Sequence, residues 1–444
     1  MKYYLQTYGC QMNYSDSERI TTVLTKLGYE RTDGFEDADL IILNTCSIKK
    51  KAEDRIYGLG EQFGPLKEKN PKLIIGLTGC MIREQSGIRH EIKHEVFKTM
   101  ETIDFVFRIK DLMQLPEILH KLHHIKKDDE FKDLLDYFHI NPTIGNISQV
   151  FIPISSGCNN FCSYCIVPYS RGREECRNIE DILDEVKKAV KRGAVEINLV
   201  GQNVSTYKPK DIDPKSKESP FAQLLRKMDA VEGVDRIRFY TVHPKDMTDD
   251  VIDLYGELKS MIPHIHLPLQ SGSKSVLKRM NRLYTPDRFR ELVGKLRARI
   301  PHISISTDII VGFCGETEKE FQESCDMIKE LKIDLIYVSM YSQRKGTLAE
   351  KTMKDDIPAD VKKERLHHIT DVMKEISHEY NQQFKGKTVK ILVEHIRKGY
   401  ADGKIPEFKM ARFKADDMNL IGKYVDIKVS KAMEWCLEGK PVKS

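Results

Sequence analysis

Three cysteines within one eight-residue stretch carry the clearest chemical signature in this sequence. Cys158, Cys162 and Cys165 form a C-x3-C-x2-C pattern that directly follows an apolar segment expected to be a strand. Three thiolates at this spacing can bind three corners of a [4Fe–4S] cluster and leave the fourth iron open for another ligand. A zinc knuckle is the alternative, but structural zinc sites use four protein ligands, and no fourth Cys or His follows at a suitable spacing.

Cys10, Cys46 and Cys80 form a second group that is spread along the chain. Each follows a segment expected to be a strand, and these segments are residues 3–8, 39–45 and 73–78. The carboxyl ends of parallel strands share one edge of a sheet, so the three thiols should converge there. Three buried core cysteines are the weaker alternative, because Gly9-Cys10 and Gly79-Cys80 have the sequence of turns. The convergence predicts a second iron–sulfur cluster with an open iron.

A small doubly wound parallel sheet is expected to position this second group. Apolar strands alternate with helical segments through the first hundred residues, which indicates the α/β class. Ser15-x-x-Glu18 has the pattern of a capping box, which predicts a helix that begins there and ends at Gly28. A further helix is expected over residues 111–124, before the charged run 126–130.

From residue 150 the chain shows six strand-then-helix units. Strands are expected at residues 150–155, 195–200, 236–241, 264–269, 303–310 and 334–341, and helices at residues 179–192, 246–259, 274–280, 286–299 and 318–331. Six units predict an open (β/α)6 barrel, a partial TIM barrel short of the eight units that close one. The cysteine loop at 158–165 then lies at the carboxyl rim of the barrel, where such folds carry active sites. A polar insertion at 208–219 and a long helix over 358–384 complete this part.

The last sixty residues hold the excess positive charge of the chain. Residues 385–444 contain 14 Lys and Arg against 8 Asp and Glu, while the whole chain has a net charge of only +5. Turns expected at Gly399, Asp402-Gly403 and Gly422 separate short strands, which predicts a small β-barrel. A nucleic-acid surface or a solvated lysine-rich face explains the charge. The candidate contacts to RNA are Lys387, Arg397, Arg412 and Lys414, with Tyr400, Phe408 and Phe413 as stacking or core side chains.

Composition restricts where this protein works. With 444 residues, 40% of them hydrophobic and 31% charged, the chain can bury sizeable cores and is not a disordered tail. No apolar stretch approaches the roughly 18 residues of a membrane helix, and the first residues lack the apolar region of a signal peptide. We therefore expect a cytoplasmic protein without membrane contact, in which the ten cysteines are thiols or metal ligands.

Several sequence blocks resemble those of one enzyme family. The C-x3-C-x2-C pattern is similar to that of the radical S-adenosylmethionine (SAM) superfamily, and the whole pattern resembles its methylthiotransferases. The further blocks that carry the resemblance are Thr7-Tyr8-Gly9-Cys10-Gln11-Met12-Asn13, His266-Leu267-Pro268-Leu269-Gln270-Ser271-Gly272-Ser273 and Met340-Tyr341-Ser342-x-Arg344-x-Gly346-Thr347. The resemblance implies a methylthiotransferase domain at 1–110, a connector at 111–147, a radical SAM domain at 148–372, a helical linker at 373–384 and a TRAM domain at 385–444. Cys176 and Cys314 depart from the family pattern, while Cys325, on the apolar face of its helix, is expected in the core.

The resemblance also implies two [4Fe–4S] clusters and the use of SAM. The barrel triad would hold the cluster that binds SAM, and Cys10, Cys46 and Cys80 would hold an auxiliary cluster. SAM would be both the source of the radical and the methyl donor. The candidate contacts to SAM are Gln202, Asn203, Gln270 and Ser271, for which helix caps and turn residues are the alternative. A low-potential electron donor of the flavodoxin or ferredoxin type and a monomeric chain are also expected.

The block at residues 7–13 has the form found in the branch of the family that modifies tRNA. It implies methylthiolation at C2 of N6-isopentenyladenosine next to the anticodon, with the tRNA anticodon loop as partner. One alternative is a sister branch that acts on N6-threonylcarbamoyladenosine in tRNA or on an aspartate of a ribosomal protein. The alternative of another class is a non-catalytic RNA-binding metalloprotein, which two open cysteine triads argue against because structural sites are normally closed.

Overall fold

The computed structural model describes residues 1–47, 50–125, 137–143, 148–213 and 215–442. The N-terminal strands are β1 (Lys2–Tyr8), β2 (Glu30–Arg31), β3 (Leu40–Thr45), β4 (Ile74–Gly79), β5 (Gly87–Ile88) and β6 (Phe105–Phe107). They form one sheet in the order β2-β1-β3-β4-β6-β5. Its strand pairs are parallel, apart from the short edge pair β5–β6. The predicted doubly wound parallel sheet is confirmed.

Helices cover both faces of this sheet. They are α1 (Gln11–Lys26), α2 (Lys50–Lys69), α3 (Glu95–Thr99) and α4 (Leu115–Lys121), with 3-10 turns at Phe35–Asp37, Ile109–Gln114 and Tyr137–His139. Every residue of the central strand β3 is buried, because a parallel strand between two helical layers has no solvent side. This explains why its sequence is a continuous apolar run rather than an alternating one.

The predicted start of the first helix is wrong by one turn. Helix α1 begins at Gln11, and its N-cap is Cys10, whose backbone amide donates to Asn13 Oδ1 at 3.2 Å. Ser15 is buried inside the helix, where its hydroxyl accepts a hydrogen bond from Arg19 at 2.8 Å. The apparent capping box is therefore part of the core. The predicted end is correct, since Gly28 follows the helix with a φ of +80°.

The predicted helix at 111–124 is also shorter than expected. The chain forms a 3-10 turn first, and helix α4 begins at Leu115 with Pro116 in its first turn. Proline has no amide hydrogen to donate and is tolerated at that position, so it favours a new helix start there. The charged run 126–130 lies outside the described residues.

The middle of the chain forms two three-stranded parallel sheets that adjoin each other. The strands are β7 (Gln149–Pro153), β8 (Ser155–Ser156), β9 (Glu175–Cys176), β10 (Glu196–Val200), β11 (Arg236–Phe239), β12 (His264–His266), β13 (Ser304–Val311) and β14 (Leu335–Met340). One sheet has the order β11-β10-β7 and the other β12-β13-β14, and an Ile237–Met261 bridge lies where they meet. The six strands of these two sheets confirm the predicted open barrel, while β8 and β9 form a short antiparallel pair at its rim.

Helices surround this barrel. They are α5 (Val167–Ser170), α6 (Ile179–Lys191), α7 (Pro220–Asp229), α8 (Asp249–Asp253), α9 (Lys274–Arg279), α10 (Pro286–Arg299), α11 (Glu318–Glu330), α12 (Leu348–Thr352) and α13 (Ala359–Gln382), with a 3-10 turn at Val204–Thr206. The predicted helix at 246–259 is wrong in length, because α8 ends at Asp253 and Gly256 then takes a φ of +83°. Sequence reasoning missed α7, although the Ser219 hydroxyl caps it and Pro220 opens it. Cys325 lies in the barrel core, as predicted.

The C-terminal strands form the predicted small β-barrel. They are β15 (Thr388–Arg397), β16 (Tyr400–Lys404), β17 (Met410–Lys414), β18 (Tyr424–Ala432) and β19 (Leu437–Pro441), with a 3-10 turn at Met418–Leu420, and they close in the order β15-β16-β17-β19-β18. Gly399 and Gly422 lie in turns with positive φ, as expected. The predicted turn at Asp402-Gly403 is wrong, since both residues lie within β16. A Cβ on Gly403 would lie 2.0 Å from the Leu392 carbonyl oxygen, so glycine permits close strand approach there.

The small barrel packs against the amino ends of the central strands. The Phe408 ring stacks on His264, with centroids 4.5 Å apart, and the Arg238 guanidinium lies 4.3 Å from the same ring. Arg236 donates to the Lys404 and Lys390 carbonyl oxygens. The cysteine loop after β7 and β8 lies at the opposite, carboxyl end of the barrel.

The predicted division of the chain at residues 110, 147, 372 and 384 stays a prediction. One observation bears on it, because helix α13 runs continuously through the expected boundary after residue 372. Within the described residues, no helix combines the length and apolar character that a membrane span needs.

Candidate functional site with two cysteine triads

The barrel triad lies on a loop that folds back onto the segment after it. Gly157 opens this loop with a φ of +86°, and a Cβ there would lie 2.1 Å from the Arg173 carbonyl oxygen. The Cys158 backbone amide donates to the Gly172 carbonyl at 3.2 Å. Only glycine fits this approach without strain, so Gly157 fixes where the loop leaves the sheet.

One sulfur of this loop accepts a hydrogen bond from a buried arginine. Cys158 is buried, whereas Cys162 and Cys165 are partly buried. Arg282 Nη1 donates to Cys162 Sγ at 3.7 Å, and its Nη2 donates to the Pro268 carbonyl at 2.8 Å. Burial raises the pKa of Cys165 to about 12 and also raises that of Cys158. Without a metal these two groups are protonated thiols at neutral pH.

The N-terminal triad is assembled by the sheet. The Cys46 amide donates to the Tyr8 carbonyl at 2.7 Å, and the Cys80 amide donates to the Thr45 carbonyl at 2.8 Å. Each cysteine thus continues the ladder of its own strand by one residue, and Cys10 caps the helix that follows β1. Parallel strands in register place the three residues at one edge, as the sequence predicts.

The thiols of this triad interact with each other. A hydrogen bond from Cys46, together with the Arg171 guanidinium, lowers the pKa of Cys80 to about 5 despite its burial. Arg171 Nε donates to Cys80 Sγ at 3.4 Å. Cys10 and Cys80 also interact electrostatically. Both contacts therefore favour the thiolate form of Cys80.

A buried amide network holds Cys10 beside the strand that carries Cys46. Asn13 Nδ2 donates to Asn44 Oδ1 at 3.1 Å, and Asn44 Nδ2 donates to the Asn13 carbonyl at 2.8 Å. Asn13 Oδ1 accepts from the Cys10 backbone amide. Because both asparagines are fully buried, their hydrogen bonds must be satisfied internally, which fixes α1 against β3.

The donor sets fit cubane clusters better than single metal ions. Among the described residues, no group of three His, Cys, Asp or Glu side chains is placed to hold one metal ion. Three thiolates that bind three different irons of a cube do not need to meet at one point. All ten cysteines belong to the described residues, and none of them forms a disulfide. Both triads therefore offer three sulfur donors and no fourth.

Two buried ion-pair systems join the sheet domain to the barrel. Arg171 Nη2 donates to Asp16 Oδ2 at 2.6 Å, and the Tyr137 hydroxyl donates to Asp16 Oδ1 at 2.5 Å. In the second system, Glu185 of α6 accepts from Arg19 of α1 at 3.0 Å and pairs with Arg177 at 2.7 Å. Removing one partner of such a buried pair typically costs about 3–5 kcal/mol, so these contacts resist relative motion of the two domains.

The four candidate SAM contacts lie at the carboxyl rim of the barrel in different situations. Gln202 Oε1 accepts from the Gly157 amide at 2.6 Å, so it supports the cysteine loop. Asn203 Nδ2 donates a hydrogen bond to Asp246 Oδ2 at 2.8 Å, and the buried Ser271 hydroxyl forms a hydrogen bond with the Ser324 hydroxyl. Gln270, with a φ of +70°, keeps a buried Oε1 without a hydrogen-bond partner in the described residues. All four stay predictions.

Sequence reasoning missed three residues near the triads. Arg171 and Arg282 donate to cysteine sulfurs, and His243 keeps a buried Nε2 without a partner in the described residues. Burial and the nearby Arg282 lower the pKa of His243 to about 2, so its ring is neutral. The sequence positions of Arg171 and His243 could have indicated their role, since Arg171 lies six residues after Cys165 and His243 follows the third barrel strand.

Three of the four candidate RNA contacts share one outer face of the small barrel. Arg412 and Lys414 alternate with buried residues on β17, and Arg397 lies opposite Tyr400 on the neighbouring strand pair. Arg412 is engaged with Glu438 at 3.0 Å and lies over the Tyr400 ring. Lys387 lies at the other end of β15, so the structure does not bring it to this face. Phe413 is a core residue and Phe408 a domain contact.

The class of protein follows from comparison of the sequence with known families. Residues 152–328 match the family described as "Radical SAM superfamily", and residues 2–107 match "Uncharacterized protein family UPF0004". The "tRNA-2-methylthio-N(6)-dimethylallyladenosine synthase" of Clostridium botulinum (strain Okra / Type B1) is 42% identical over 99% of this chain and 97% of the relative. The protein of the same name from Thermoanaerobacter sp. (strain X514) is 39% identical over 99% of this chain and 92% of the relative. The chain therefore belongs to the tRNA-2-methylthio-N(6)-dimethylallyladenosine synthase family.

Solved structures support the fold. The radical S-adenosylmethionine methyltransferase TsrM from Kitasatospora setae, with cobalamin and a [4Fe-4S] cluster bound, aligns with a TM-score of 0.50 at 13% identity, covering 90% of this chain and 80% of TsrM. The cobalamin-dependent S-adenosylmethionine radical enzyme OxsB aligns with a TM-score of 0.52 at 12% identity over 84% of this chain and 56% of OxsB. At these identities the likeness concerns the fold alone.

Proposed function

We propose that this chain is a tRNA methylthiotransferase that modifies C2 of N6-isopentenyladenosine next to the anticodon. The observation that carries the proposal is the pairing of two open cysteine triads, joined by buried ion pairs, in a chain that aligns over 99% of its length with synthases of that name. A structural metalloprotein would need closed ligand sets, and both triads have three sulfur donors each.

The residues have distinct roles in this proposal. Cys158, Cys162 and Cys165 hold the cluster at which SAM binds, and Cys10, Cys46 and Cys80 hold the auxiliary cluster. When bound, these groups supply the radical chemistry, the sulfur and the methyl group. The chain itself holds the two sulfur sets at a fixed separation, orients SAM through rim residues such as Gln270, and excludes water.

A cavity at the boundary of the N-terminal domain and the barrel is the proposed position of the splayed base. A cavity of about 170 Å³ is lined by Gly79, which precedes Cys80, and by Ser156, which precedes the barrel loop. Arg171 and Arg173 also line it. Because C2 of an adenine is occluded in a stacked loop, the nucleotide must leave the stack to reach such a position.

The outer face of the small barrel is the proposed RNA contact. Arg397 and Lys414 are exposed there, and residues 385–444 carry the excess positive charge of the chain.

Deleting residues 385–444 would be a poor test of this contact, because Phe408 and its neighbours pack against the central barrel. Charge reversal at Arg397 and Lys414 is the better one. We expect weaker tRNA binding with a smaller salt dependence, and unchanged SAM cleavage without tRNA. Lys187→Glu with Lys191→Glu on α6 is the control with the same change in net charge.

The substrate is tested in a deletion strain complemented with this gene. Nucleosides from its tRNA are analysed by mass spectrometry. Restored 2-methylthio-N6-isopentenyladenosine supports the proposal. Restoration only of the methylthiolated threonylcarbamoyl nucleoside, or only of a methylthiolated ribosomal aspartate, would contradict it and assign the chain to a sister branch. A flavodoxin- or ferredoxin-type electron donor, a monomeric state and a cytoplasmic location are further parts of the proposal.

A further inference from the structure

Arg171 contacts both halves of the candidate site. It follows helix α5 in the segment that leaves the barrel's cysteine loop, yet its guanidinium is buried against the N-terminal domain. Nε donates to Cys80 Sγ at 3.4 Å, and Nη2 donates to Asp16 Oδ2 at 2.6 Å. One side chain therefore connects a sulfur of the N-terminal triad with the loop of the barrel triad.

The contact with the sulfur is separate from the ion pair. The Nη groups face Asp16, which is held in turn by the Tyr137 hydroxyl, while Nε faces Cys80. The ion pair with the Asp16 carboxylate would be sufficient if Arg171 only held the two domains together. Asp16 lies on α1, the helix capped by Cys10, so the same guanidinium also anchors the element that carries a second cysteine of the triad.

We propose that Arg171 is a positioning residue that raises the reduction potential of the cluster held by Cys10, Cys46 and Cys80 and fixes that cluster relative to the barrel loop. The inference rests on the proposed function, since it requires a cluster at that triad. Hydrogen bonds to cluster sulfurs and a nearby positive charge stabilise the reduced, more negative state, and both raise the potential.

The barrel triad offers an internal comparison. Arg282 donates to Cys162 at 3.7 Å but bonds to the Pro268 carbonyl rather than to a carboxylate. Of these two arginines, Arg171 is the one that bonds to a residue of the other domain. An effect of Arg171 should therefore appear in the auxiliary cluster and not in the barrel cluster.

The test uses the reconstituted holoenzyme and three variants. Arg171→Gln removes the charge, Arg171→Lys keeps it, and Arg177→Gln is the matched control, since it removes the charge of another buried arginine. Arg177 is equally buried and pairs with Glu185, which in turn pairs with Arg19 of the N-terminal domain, and Arg177 contacts no sulfur in the described residues. Iron is counted, both clusters are titrated potentiometrically with spectroscopic detection, and 5′-deoxyadenosine and methylthiolated product are measured.

We expect Arg171→Gln to lower the potential of the auxiliary cluster only, and Arg171→Lys to lie closer to the wild type. Product formation should fall by about 10–100-fold in Arg171→Gln while 5′-deoxyadenosine formation persists. Loss of the auxiliary cluster from Arg171→Gln but not from Arg177→Gln also supports the inference. An unchanged potential with full iron content, or equal loss of the cluster from all three variants, would overturn it. A wild type with only about four irons instead refutes the second cluster and thus the proposed function.

Discussion

Each cysteine triad has three thiols, but one triad comes from a single loop and the other from three separate strands. The barrel triad lies within one loop, and its geometry depends on local features such as the positive φ of Gly157. The N-terminal triad is drawn from three strand ends that are 36 and 34 residues apart in the chain. Strand register, the Asn13–Asn44 network and an arginine from the other domain bring it together.

This difference in construction has a chemical consequence. Burial keeps two thiols of the local triad protonated, whereas a hydrogen bond and a cation from distant residues lower the pKa of Cys80 in the distributed one. A motif within one loop depends on few contacts. A site assembled from separate elements can be adjusted by any of the elements that meet there, and it is more sensitive to their loss.

The largest effect is expected from the local triad. Replacing Cys158, Cys162 and Cys165 by Ala should abolish SAM cleavage and remove about half of roughly eight irons, because these three thiolates are the proposed protein ligands of the SAM-binding cluster. Iron content and 5′-deoxyadenosine are the measurements. Cys176→Ala with Cys314→Ala is the control and should keep full iron. Cleavage by the triple variant would show that the barrel loop does not hold that cluster.

The distributed triad should separate cleavage from transfer. Replacing Cys10, Cys46 and Cys80 by Ala should remove the other half of the iron and all methylthiolated product, while the barrel still forms 5′-deoxyadenosine. The two products are quantified in the same reaction. Methylthiolated product from this variant would exclude the N-terminal triad as the source of sulfur.

Substitution of two glycines tests the comparison of the two triads without changing a cysteine. Gly79→Ala places a Cβ 2.2 Å from the Thr45 carbonyl, and Gly157→Ala places one 2.1 Å from the Arg173 carbonyl. Each also forces Ala into a positive φ, which costs about 1–2 kcal/mol before the clash. We expect Gly79→Ala to lose iron only from the N-terminal triad and Gly157→Ala only from the barrel triad. Equal loss from both triads in either variant would show that they are not built independently.

The smallest effect concerns the pH dependence of the metal-free protein. The Cys46 hydrogen bond and Arg171 lower the pKa of Cys80 to about 5. The ionised Cys80 thiolate therefore contributes its full stabilisation at a pH above the ordinary pKa of a cysteine thiol, and this stabilisation is lost as the pH falls toward 5. The pKa of Cys165 is raised by burial, so its contribution is lost only at high pH. Between about pH 6 and 8, Cys80→Ala should therefore remove an upward slope of at most about 1.4 kcal/mol per pH unit. Cys165→Ala should keep that slope.

Urea unfolding of the metal-free proteins at several pH values measures these slopes. If the wild type and Cys80→Ala have parallel stability curves, Cys80 is not ionised in the folded chain. A change of slope in Cys165→Ala within this range would contradict the effect assigned to burial.

Sequence patterns were sufficient for much of the fold. Continuous apolar runs predicted the buried strands β3 and β4, and the helix over residues 286–299 agrees with α10. Errors arose where a polar residue has a tertiary role. Ser15 has the pattern of a cap but accepts from the buried Arg19, and Gly403 has the pattern of a turn but permits close packing of strands. Local propensity cannot distinguish these cases, because the deciding neighbour is distant in the chain.

The amino-acid sequence by itself determined the strand–helix alternation, the identity of the six cysteines and the end of the strand that each one follows. These properties depend on period, spacing and turn chemistry, which are local. Only the tertiary structure decided that Arg171 lies against Cys80 and Asp16, that Phe408 closes the far end of the barrel, and that Lys387 is separated from Arg397. Those contacts join residues that are distant in sequence, and burial of charge makes each one depend on the packing of whole domains.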